Sequence, residues 1–433
     1  MLLGAFVIDT LFPVRLTSFI GLTVTNVALF LGALVLVVTD VASGTLARKN
    51  MIGVMPAAII LLAVVLGLMY ARLTGIVDEP LIDHIRSAKS FVMEPVLLYG
   101  MAFLLVTTRE QGERYLLLLV VVLGALNLVS VVAAQFGLEI YRVADSYVTE
   151  DAEARRLAGF TGNPNKTAYL TCILVAFQYY FYKFHRSPVV KIVMATLMVG
   201  GLIVVLLTGS RGGLLVLVVV VMALAYRLRD MRVIYATAVM VPLLIVVLLA
   251  TGSTLLENAF NRITMLSSGG VAQFTSGRDQ IWSMLLSDYS ASALGMLFGN
   301  GYGAASYMGM KAEPHNIYLK VLVEFGIVGL TFFLYFIFLM FRRIATLKLD
   351  VGVTLKSSVL AAGSVVVVAW FFTTLVGVLD LIWFTLGIAI ATLTAATGEQ
   401  HVPEPGRVQN GPSPNPARLL SRKTSKPLRR ADT

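Results

Sequence analysis

The sequence predicts an all-α fold, a polytopic bundle of transmembrane helices, and two observations carry this prediction. Of the 433 residues, 58% are hydrophobic and only 13% are charged, and the mean hydropathy is +0.84. Soluble domains carry roughly 25% charged residues, so a chain this apolar is stable only when most of its surface lies in lipid. The apolar residues also fall into runs of about 20, the length at which a helix spans a bilayer.

Eleven apolar runs are candidate spans. They lie near residues 18–39, 51–69, 91–107, 115–137, 166–182, 189–208, 212–226, 233–251, 316–341, 357–377 and 379–396. A shorter apolar piece at 2–13 is a candidate twelfth span. The number of spans is therefore eleven or twelve, and this number decides on which side of the membrane the N-terminus lies.

The distribution of cations predicts the orientation. Most of the 34 Lys and Arg residues fall in alternate loops and in the segment after residue 397, and Lys and Arg are retained in cytoplasmic loops. We therefore expect a cytoplasmic C-terminus and an outward-facing long loop at 252–315. The net charge of +10 is then a topology signal rather than a sign of nucleic-acid binding.

The chain divides into four predicted segments. Residues 1–137 are N-terminal transmembrane helices, 138–341 form a core in which the loop 252–315 carries short helices, and 342–396 are C-terminal helices. The tail 397–433 is rich in Pro, Arg, Lys and Ser. That composition predicts a disordered cytoplasmic segment. The positive charge of this segment would hold it to an anionic inner leaflet.

The outer loop at 70–90 is densely charged and contains His84 and Lys89. Mixed charge at this density is typical of a solvated face. Glu94 lies just inside the next span, where a carboxylate is costly to bury, so it is either a functional residue or an interfacial one.

A predicted helix start brings arginine to the outer surface near residue 160. Arg155 and Arg156 precede a glycine-containing turn, after which Asn163 suits the N-cap and Pro164 the first helical position. The free amides of such a helix start favour phosphate. An interfacial arginine that contacts lipid headgroups is the alternative.

A second arginine follows Ser210 in a connection between two spans. This connection is so short that Arg211 must lie at or below the outer membrane surface. A cation at that depth needs a partner or a water-filled cavity, whereas an ordinary cap with Arg211 at the headgroups is the alternative.

The long outer loop contains a predicted interfacial helix. Five residues at offsets 0, 3, 4, 7 and 8 share one helical face: Arg278, Ile281, Trp282, Leu285 and Leu286. We expect Trp282 to anchor this helix at the membrane interface. The glycine-rich turn at 299–303 then allows close backbone approach, but without a lysine it is no Walker phosphate loop.

The loop ends at a second predicted helix start. Pro314 is expected to open the next span, with His315 and Asn316 in its first turn. Lys320 and Glu324 follow one and two turns further on, at a spacing that also allows them simply to pair with each other.

Metal and nucleotide chemistry find no support in the sequence. The four histidines are dispersed, the single cysteine, Cys172, lies in an apolar run, and no zinc or Walker motif is present. We expect neither a metal nor a cofactor. One imidazole and several arginines at the outer surface suit an anionic phosphate ligand and one proton transfer.

Taken together, these motifs resemble the O-antigen ligase and O-antigen or exopolysaccharide polymerase superfamily over roughly residues 150–340. The matching motifs are Arg156-x-x-Gly159, Asn163-Pro164-Asn165, Ser210-Arg211-Gly212, Gly277-Arg278 with Trp282, Gly299-x-Gly301, His315-Asn316-x-Tyr318-Leu319 and Glu324-x-Gly326.

The resemblance implies a membrane glycosyltransferase of the bacterial inner membrane. It would use an undecaprenyl-diphosphate-linked glycan at the periplasmic face, without metal, and with inversion. By carry-over, His315 is the general base that deprotonates an acceptor hydroxyl, while Arg156, Arg211 and Arg278 neutralise the diphosphate.

Three further site residues follow from the same resemblance. Asn316 and Tyr318 occupy motif positions whose roles overlap with capping and interface anchoring, and Arg155 competes with Arg156 for one motif position. The implied partners are the lipid-linked donor, a glycan or lipid A-core acceptor, membrane lipids and polysaccharide assembly proteins, with no nucleic acid. Ligase and polymerase differ only in the acceptor, and we slightly favour polymerisation.

The alternative function is a secondary transporter or a lipid-linked glycan flippase. That class predicts charges and broken helices near the bilayer midplane together with repeated halves. In this sequence the charges gather at one face and the halves do not match. A purely structural membrane subunit would leave Arg211 unexplained.

Overall fold

The computed structural model describes residues 54–77, 80–89, 94–135, 156–250, 257, 278–308, 313–347, 353–373 and 379–399. The described helices, numbered α1 to α13 in chain order, are Val54–Leu73, Leu81–Ala88, Glu94–Leu105, Arg109–Gln135, Pro164–Phe184, Pro188–Leu207, Arg211–Leu228, Arg232–Ala250, Arg278–Ser290, Ala293–Phe298, Ile317–Thr346, Val353–Ala369 and Leu379–Glu399. This confirms the all-α fold class.

Ten of the eleven predicted spans coincide with helices, while the predicted span at 18–39 and the piece at 2–13 lie outside the described residues. Four helices of the described ranges are long and apolar enough to cross a membrane: Arg109–Ala134, Pro188–Leu207, Arg211–Leu228 and Ile317–Thr346. The protein is therefore a polytopic helical bundle, and the total of eleven or twelve spans stays a prediction.

Helix α5 lies at the centre of the bundle. Its N-cap is Asn163, whose side chain accepts hydrogen bonds from the amides of Asn165 and Lys166, and Pro164 occupies the first turn. Residues 167–181 are buried on every face of the helix, as expected of a helix that other helices surround. Its neighbours include α6, α7 and α12.

Helix ends meet at two ends of the bundle, and one of them carries the predicted site. At this site end, α5, α7 and α11 begin where α6 and α12 end: the amide of Leu157 donates to Leu207 O at 3.2 Å, and the amide of Ile317 donates to Trp370 O at 2.9 Å. At the opposite end, the Tyr180 hydroxyl near the end of α5 donates to Glu113 near the start of α4, at 2.8 Å.

Helix α11 is broken at Gly326, whose φ of 70° and ψ of −174° are not helical. Residues 299–303, here called the glycine loop, fill the break. The amides of Asn300 and Gly301 donate to the carbonyls of Val323 and Glu324, both at 2.9 Å. These two carbonyls precede the break, where the regular i to i+4 pattern is interrupted, so the loop satisfies them.

Glycine is required at this contact for steric reasons. A Cβ on Gly299 would lie 2.3 Å from the backbone of Glu324, and one on Gly326 would lie 2.2 Å from Leu297 O. The predicted close approach of the glycine-rich turn is therefore confirmed, and its partner is the broken helix.

Two sequence-based expectations are wrong in this region. The prediction that Pro314 opens α11 fails because Asn316 is the N-cap and the helix begins at Ile317. The expectation of a solvated face around residue 84 fails for His84, which is fully buried, while Asp83 and Arg86 are partly exposed. Lys89 is also buried and pairs with Glu94 at 3.3 Å.

Candidate active site

Arg156 is fixed against two helix ends at the site end. Its Nε donates to Thr208 O, at the end of α6, at 2.7 Å. Its Nη2 donates to Asn165 Oδ1, in the first turn of α5, at 3.1 Å. The residue is only 9% exposed. Both acceptors are neutral, so these bonds orient the guanidinium without cancelling its charge.

The start of α7 lies against the same asparagine. Ser210 is the N-cap of α7, accepts from the Gly213 amide at 3.0 Å, and donates from its own hydroxyl to Asn165 Oδ1 at 2.8 Å. Arg211 is the first residue of the helix and is half-buried. Asn165 therefore joins the positions of Arg156 and Arg211 through one side-chain oxygen.

Tyr169 lies within electrostatic range of Arg156 and Arg278. It hydrogen-bonds with Ser210, and the charges of Arg278 and Arg156 both act on its hydroxyl. A Cβ on Gly212 would lie 2.3 Å from this hydroxyl, so the first turn of α7 is in direct contact with it. Two of the three sequence-predicted arginines thus act on one tyrosine, and the helix turn that Arg211 begins contacts it.

Arg278 is the first residue of α9 and reaches the end of α12. Its Nη1 donates to Phe372 O at 2.7 Å. Burial lowers the pKa of Arg278 from its usual value, although a guanidinium remains charged at neutral pH. Within the described part of the chain, no carboxylate forms an ion pair with Arg278.

Helix α9 also supports the segment that carries the histidine. The indole Nε1 of Trp282 donates to Pro314 O at 2.8 Å, so Trp282 has a specific partner beyond the predicted interface anchoring. The shared face predicted for this helix is confirmed for Leu285, which is 1% exposed, but not for Leu286, which is 42% exposed.

His315 stands immediately before the N-cap of α11, and its backbone is left-handed, with φ of 49°. Few residues other than glycine adopt this region. Burial lowers the pKa of His315, the charge of Arg278 lowers it next, Lys166 adds to this effect, and Glu313 opposes it. The imidazole therefore lies within electrostatic range of Arg278 and of the start of α5.

The two polar residues after His315 are committed to local structure. The Asn316 side chain accepts from the Leu319 amide at 3.1 Å, which makes it the cap of α11. The Tyr318 hydroxyl donates to Val367 O at 2.7 Å and so joins α11 to α12. These contacts support a positioning role for both residues.

Lys320 and Glu324 form a buried ion pair at 2.8 Å, as their spacing allows. Glu324 Oε1 also accepts from the Gly303 amide at 3.0 Å, and the Lys320 ammonium lies 5.6 Å from the centre of the Tyr302 ring. His84 Nε2 hydrogen-bonds with Tyr302 O at 2.8 Å. This network fastens the glycine loop to both α2 and α11, next to the site.

Sequence reasoning did not single out Asn165, Lys166, Tyr169 or Glu313 as site residues. Lys166 and Asn165 directly follow the predicted cap and Pro164, so their position in a helix start was an available signal. Glu313 precedes the histidine by two residues. Tyr169 carried no signal, because its importance comes from the helices around it. Arg155 lies outside the described residues.

The fold and the site together define an all-α polytopic membrane protein with a histidine and several arginines gathered at one end. Residues 196–334 match the family model described as O-antigen ligase, which confirms the resemblance to the O-antigen ligase and polymerase superfamily. No curated protein matches the chain. In general terms, the match supports a membrane glycosyltransferase of the O-antigen ligase type.

The matched segment covers part of the site. It includes Arg211, Arg278 and His315, together with the glycine loop, and it ends within α11. Arg156 and the start of α5 precede it, so the position of Arg156 in the site depends on its hydrogen bonds to Thr208 and Asn165.

Proposed function

We propose that the protein transfers a glycan from undecaprenyl diphosphate to an acceptor hydroxyl, with inversion, at the periplasmic face of the bacterial inner membrane. The observation that carries this proposal is a half-buried imidazole on which the charge of Arg278 acts, because that guanidinium is held by a neutral carbonyl oxygen. Arg278 donates to Phe372 O, a bond that leaves its positive charge available for a diphosphate, and Arg156 is oriented by its bond to Thr208 O.

His315 acts as the general base in this proposal. The O–H bond of the acceptor breaks, and its proton passes to the imidazole. The acceptor oxygen attacks the anomeric carbon from the face opposite the diphosphate. The bond between that carbon and the diphosphate oxygen breaks, and undecaprenyl diphosphate leaves. A base must be neutral before it reacts, and the lowered pKa of His315 favours the neutral form at pH 7.

The surrounding charges serve different stages of the reaction. Arg156, Arg211 and Arg278 stabilise negative charge that develops on the leaving diphosphate. The carboxylate of Glu313, which raises the pKa of His315, stabilises the imidazolium that forms when the proton is taken up. A diphosphate is a good leaving group, so charge neutralisation is needed more than protonation, and we propose that no metal takes part.

The topology follows the distribution of cations. Cationic residues crowd the opposite end of the bundle, where α4, α6 and α8 begin at Arg109, Pro188 and Arg232. Because cytoplasmic loops retain Lys and Arg, we propose that this end faces the cytoplasm, as does the C-terminus. The site end then faces the periplasm.

For the acceptor, we propose the growing glycan chain, which makes the protein a polymerase. The sequence shows no feature distinctive of a ligase. The description of the matched family as O-antigen ligase favours the second candidate, ligation to the lipid A core. The products distinguish the two: polymerisation gives a ladder of lengths on the lipid carrier, and ligation gives glycan attached to lipid A core.

The break in α11 does not favour a transporter. Transporters use discontinuous helices to form a binding cavity. Here the glycine loop fills the break and hydrogen-bonds to the carbonyls of Val323 and Glu324.

The test is transfer of a lipid-linked oligosaccharide by the purified protein, without ATP and in the presence of a metal chelator. We expect His315→Ala to lower the rate by about 10²- to 10⁴-fold, the usual contribution of a general base. His185→Ala is the matched control, because His185 follows α5 at the opposite end. Full activity of His315→Ala, with the protein folded and inserted, would remove the mechanism.

A further inference from the structure

A cleft at the opposite end of the bundle has no role in the proposed reaction. It lies where α5 and α7 end and α12 begins, and its volume is about 360 Å³, within the usual range for small-ligand sites. Its lining residues are Lys183, Phe184, Arg227, Leu228, Arg229, Asp230 and Thr354. The lining thus contains three cations and one carboxylate, and the space is large enough for a lipid headgroup.

The carboxylate in the cleft is already engaged. Asp230 Oδ2 accepts from Lys183 Nζ at 2.5 Å and from the Tyr179 hydroxyl at 3.1 Å. Its Oδ1 accepts from the Arg232 amide at 3.2 Å. Lys183 and Asp230 therefore neutralise each other, and the remaining charge of the cleft is positive.

Arg227 and Arg229 supply that remaining charge. Among the residues that the structure describes, no carboxylate forms an ion pair with either of them. Both lie at the end of α7, where cations also complement the helix dipole. The dipole explains why positive charge is tolerated there, but it does not explain a cleft between three helix ends.

Exposed apolar side chains lie next to the cleft. Phe184 is 50% exposed, and Tyr226, next to Arg227, is 80% exposed. Further along α7, Met222 and Val218 are 53% and 58% exposed, so an apolar strip leads away from the cleft along the helix. A ligand with an anionic head and long acyl chains matches this combination.

We propose that the cleft binds the phosphodiester headgroup of an anionic phospholipid, with Arg227 and Arg229 as its charged contacts and the acyl chains lying along α7. Basic pockets between helices at the cytoplasmic membrane surface bind lipids of this kind. The proposal is independent of the glycosyltransferase reaction, because the cleft and the site lie at opposite ends of the bundle.

The experiment measures equilibrium binding of fluorescent phosphatidylglycerol to the purified full-length protein in a neutral detergent. We expect the double variant Arg227→Gln/Arg229→Gln to bind at least about tenfold more weakly. The matched control is Arg114→Gln/Arg186→Gln, which removes two exposed cations from the same end outside the cleft, and it should bind as the unmodified protein does. The variant Arg227→Lys/Arg229→Lys keeps the charge and should restore most of the affinity.

Three outcomes overturn the proposal. Equal weakening in both glutamine double variants would show attraction to the general charge of this end. Equally tight binding of phosphatidylcholine would show that the charge plays no part. Binding of glycerol 3-phosphate as tight as that of phosphatidylglycerol would show a site for free phosphate esters rather than for lipid. An unchanged melting temperature confirms that each variant is folded.

Discussion

The site end and the start of α4, at the opposite end of the bundle, hold their arginines by different chemistry. At the site end, Arg156 and Arg278 donate to backbone carbonyls, both at 2.7 Å. At the opposite end, Arg109 pairs with Glu113 at 2.7 Å and Arg114 with Glu110 at 2.6 Å, one turn along the same helix.

This difference matters for ligand binding. A carboxylate partner cancels the charge of a guanidinium, whereas a carbonyl oxygen fixes its direction and leaves the charge available. The ion pair between Arg114 and Glu110 is also about three-quarters exposed, and pairs of this kind contribute little to stability. In our proposal, the carbonyl-bound arginines of the site end therefore serve catalysis, whereas the ion-paired arginines at the start of α4 do not.

The largest expected effect comes from the same substitution at the two ends. Arg211→Ala should lower the rate of glycan transfer by about 10²- to 10³-fold, as expected for loss of one group that stabilises the developing charge. Arg114→Ala should leave the rate unchanged. Transfer assays with a lipid-linked oligosaccharide provide the measurement. Equal losses in the two variants would mean that the comparison between the ends reflects folding rather than chemistry.

The glycine loop tests whether the site end depends on the filled break in α11. Gly326 and Gly75 both have φ of 70°, but a Cβ on Gly326 would lie 2.2 Å from Leu297 O, whereas one on Gly75 meets nothing within 4 Å. Gly75→Ala should cost about 1–2 kcal/mol from backbone strain alone. Gly326→Ala should cost about 1–3 kcal/mol more from the steric clash.

Thermal unfolding in detergent, combined with the transfer assay, measures both effects. Comparable melting temperatures for the two alanine variants would show that the glycine loop does not pack into the break as described.

A smaller effect is expected at Tyr318. Tyr318→Phe removes the hydrogen bond to Val367 O and should lower the free energy of unfolding by about 1 kcal/mol. Tyr226→Phe, at an 80% exposed residue, is the control. A raised KM with unchanged stability would instead show that the Tyr318 hydroxyl contacts the glycan.

The smallest effect is a change in pH dependence. Glu313 raises the pKa of His315 and Lys166 lowers it. Glu313→Gln should therefore move the acidic limb of kcat/KM to lower pH, because the base stays neutral in more acidic solution. Lys166→Gln should move that limb to higher pH. Shifts in the same direction for both variants would show that the limb reports a group other than His315.

Much of the fold could be predicted because its signals are local. Apolar runs located ten described helices, the sequence at Asn163 and Pro164 identified the start of α5, and the spacing of Lys320 and Glu324 anticipated their ion pair. The start of α11 was misplaced because proline is common in the first turn of helices, whereas here Asn316 provides the cap.

The misjudged residues have their partners far away in the chain. His84 was expected to face solvent among its charged neighbours, but the carbonyl of Tyr302, 218 residues later, is its partner. Tyr169 had no local signal, because its importance comes from Ser210 and from the two arginines whose charges act on it.

The sequence by itself determined the membrane class, most helix positions, the excess of cations in alternate loops and the family motifs, because each of these follows from composition or from spacing within a few residues. The tertiary structure decided which oxygen each guanidinium contacts. Arg156 reaches a carbonyl 52 positions away, and Arg278 reaches one 94 positions away. Such contacts exist only after the helix ends have packed together, because no local pattern in the chain encodes which ends will meet.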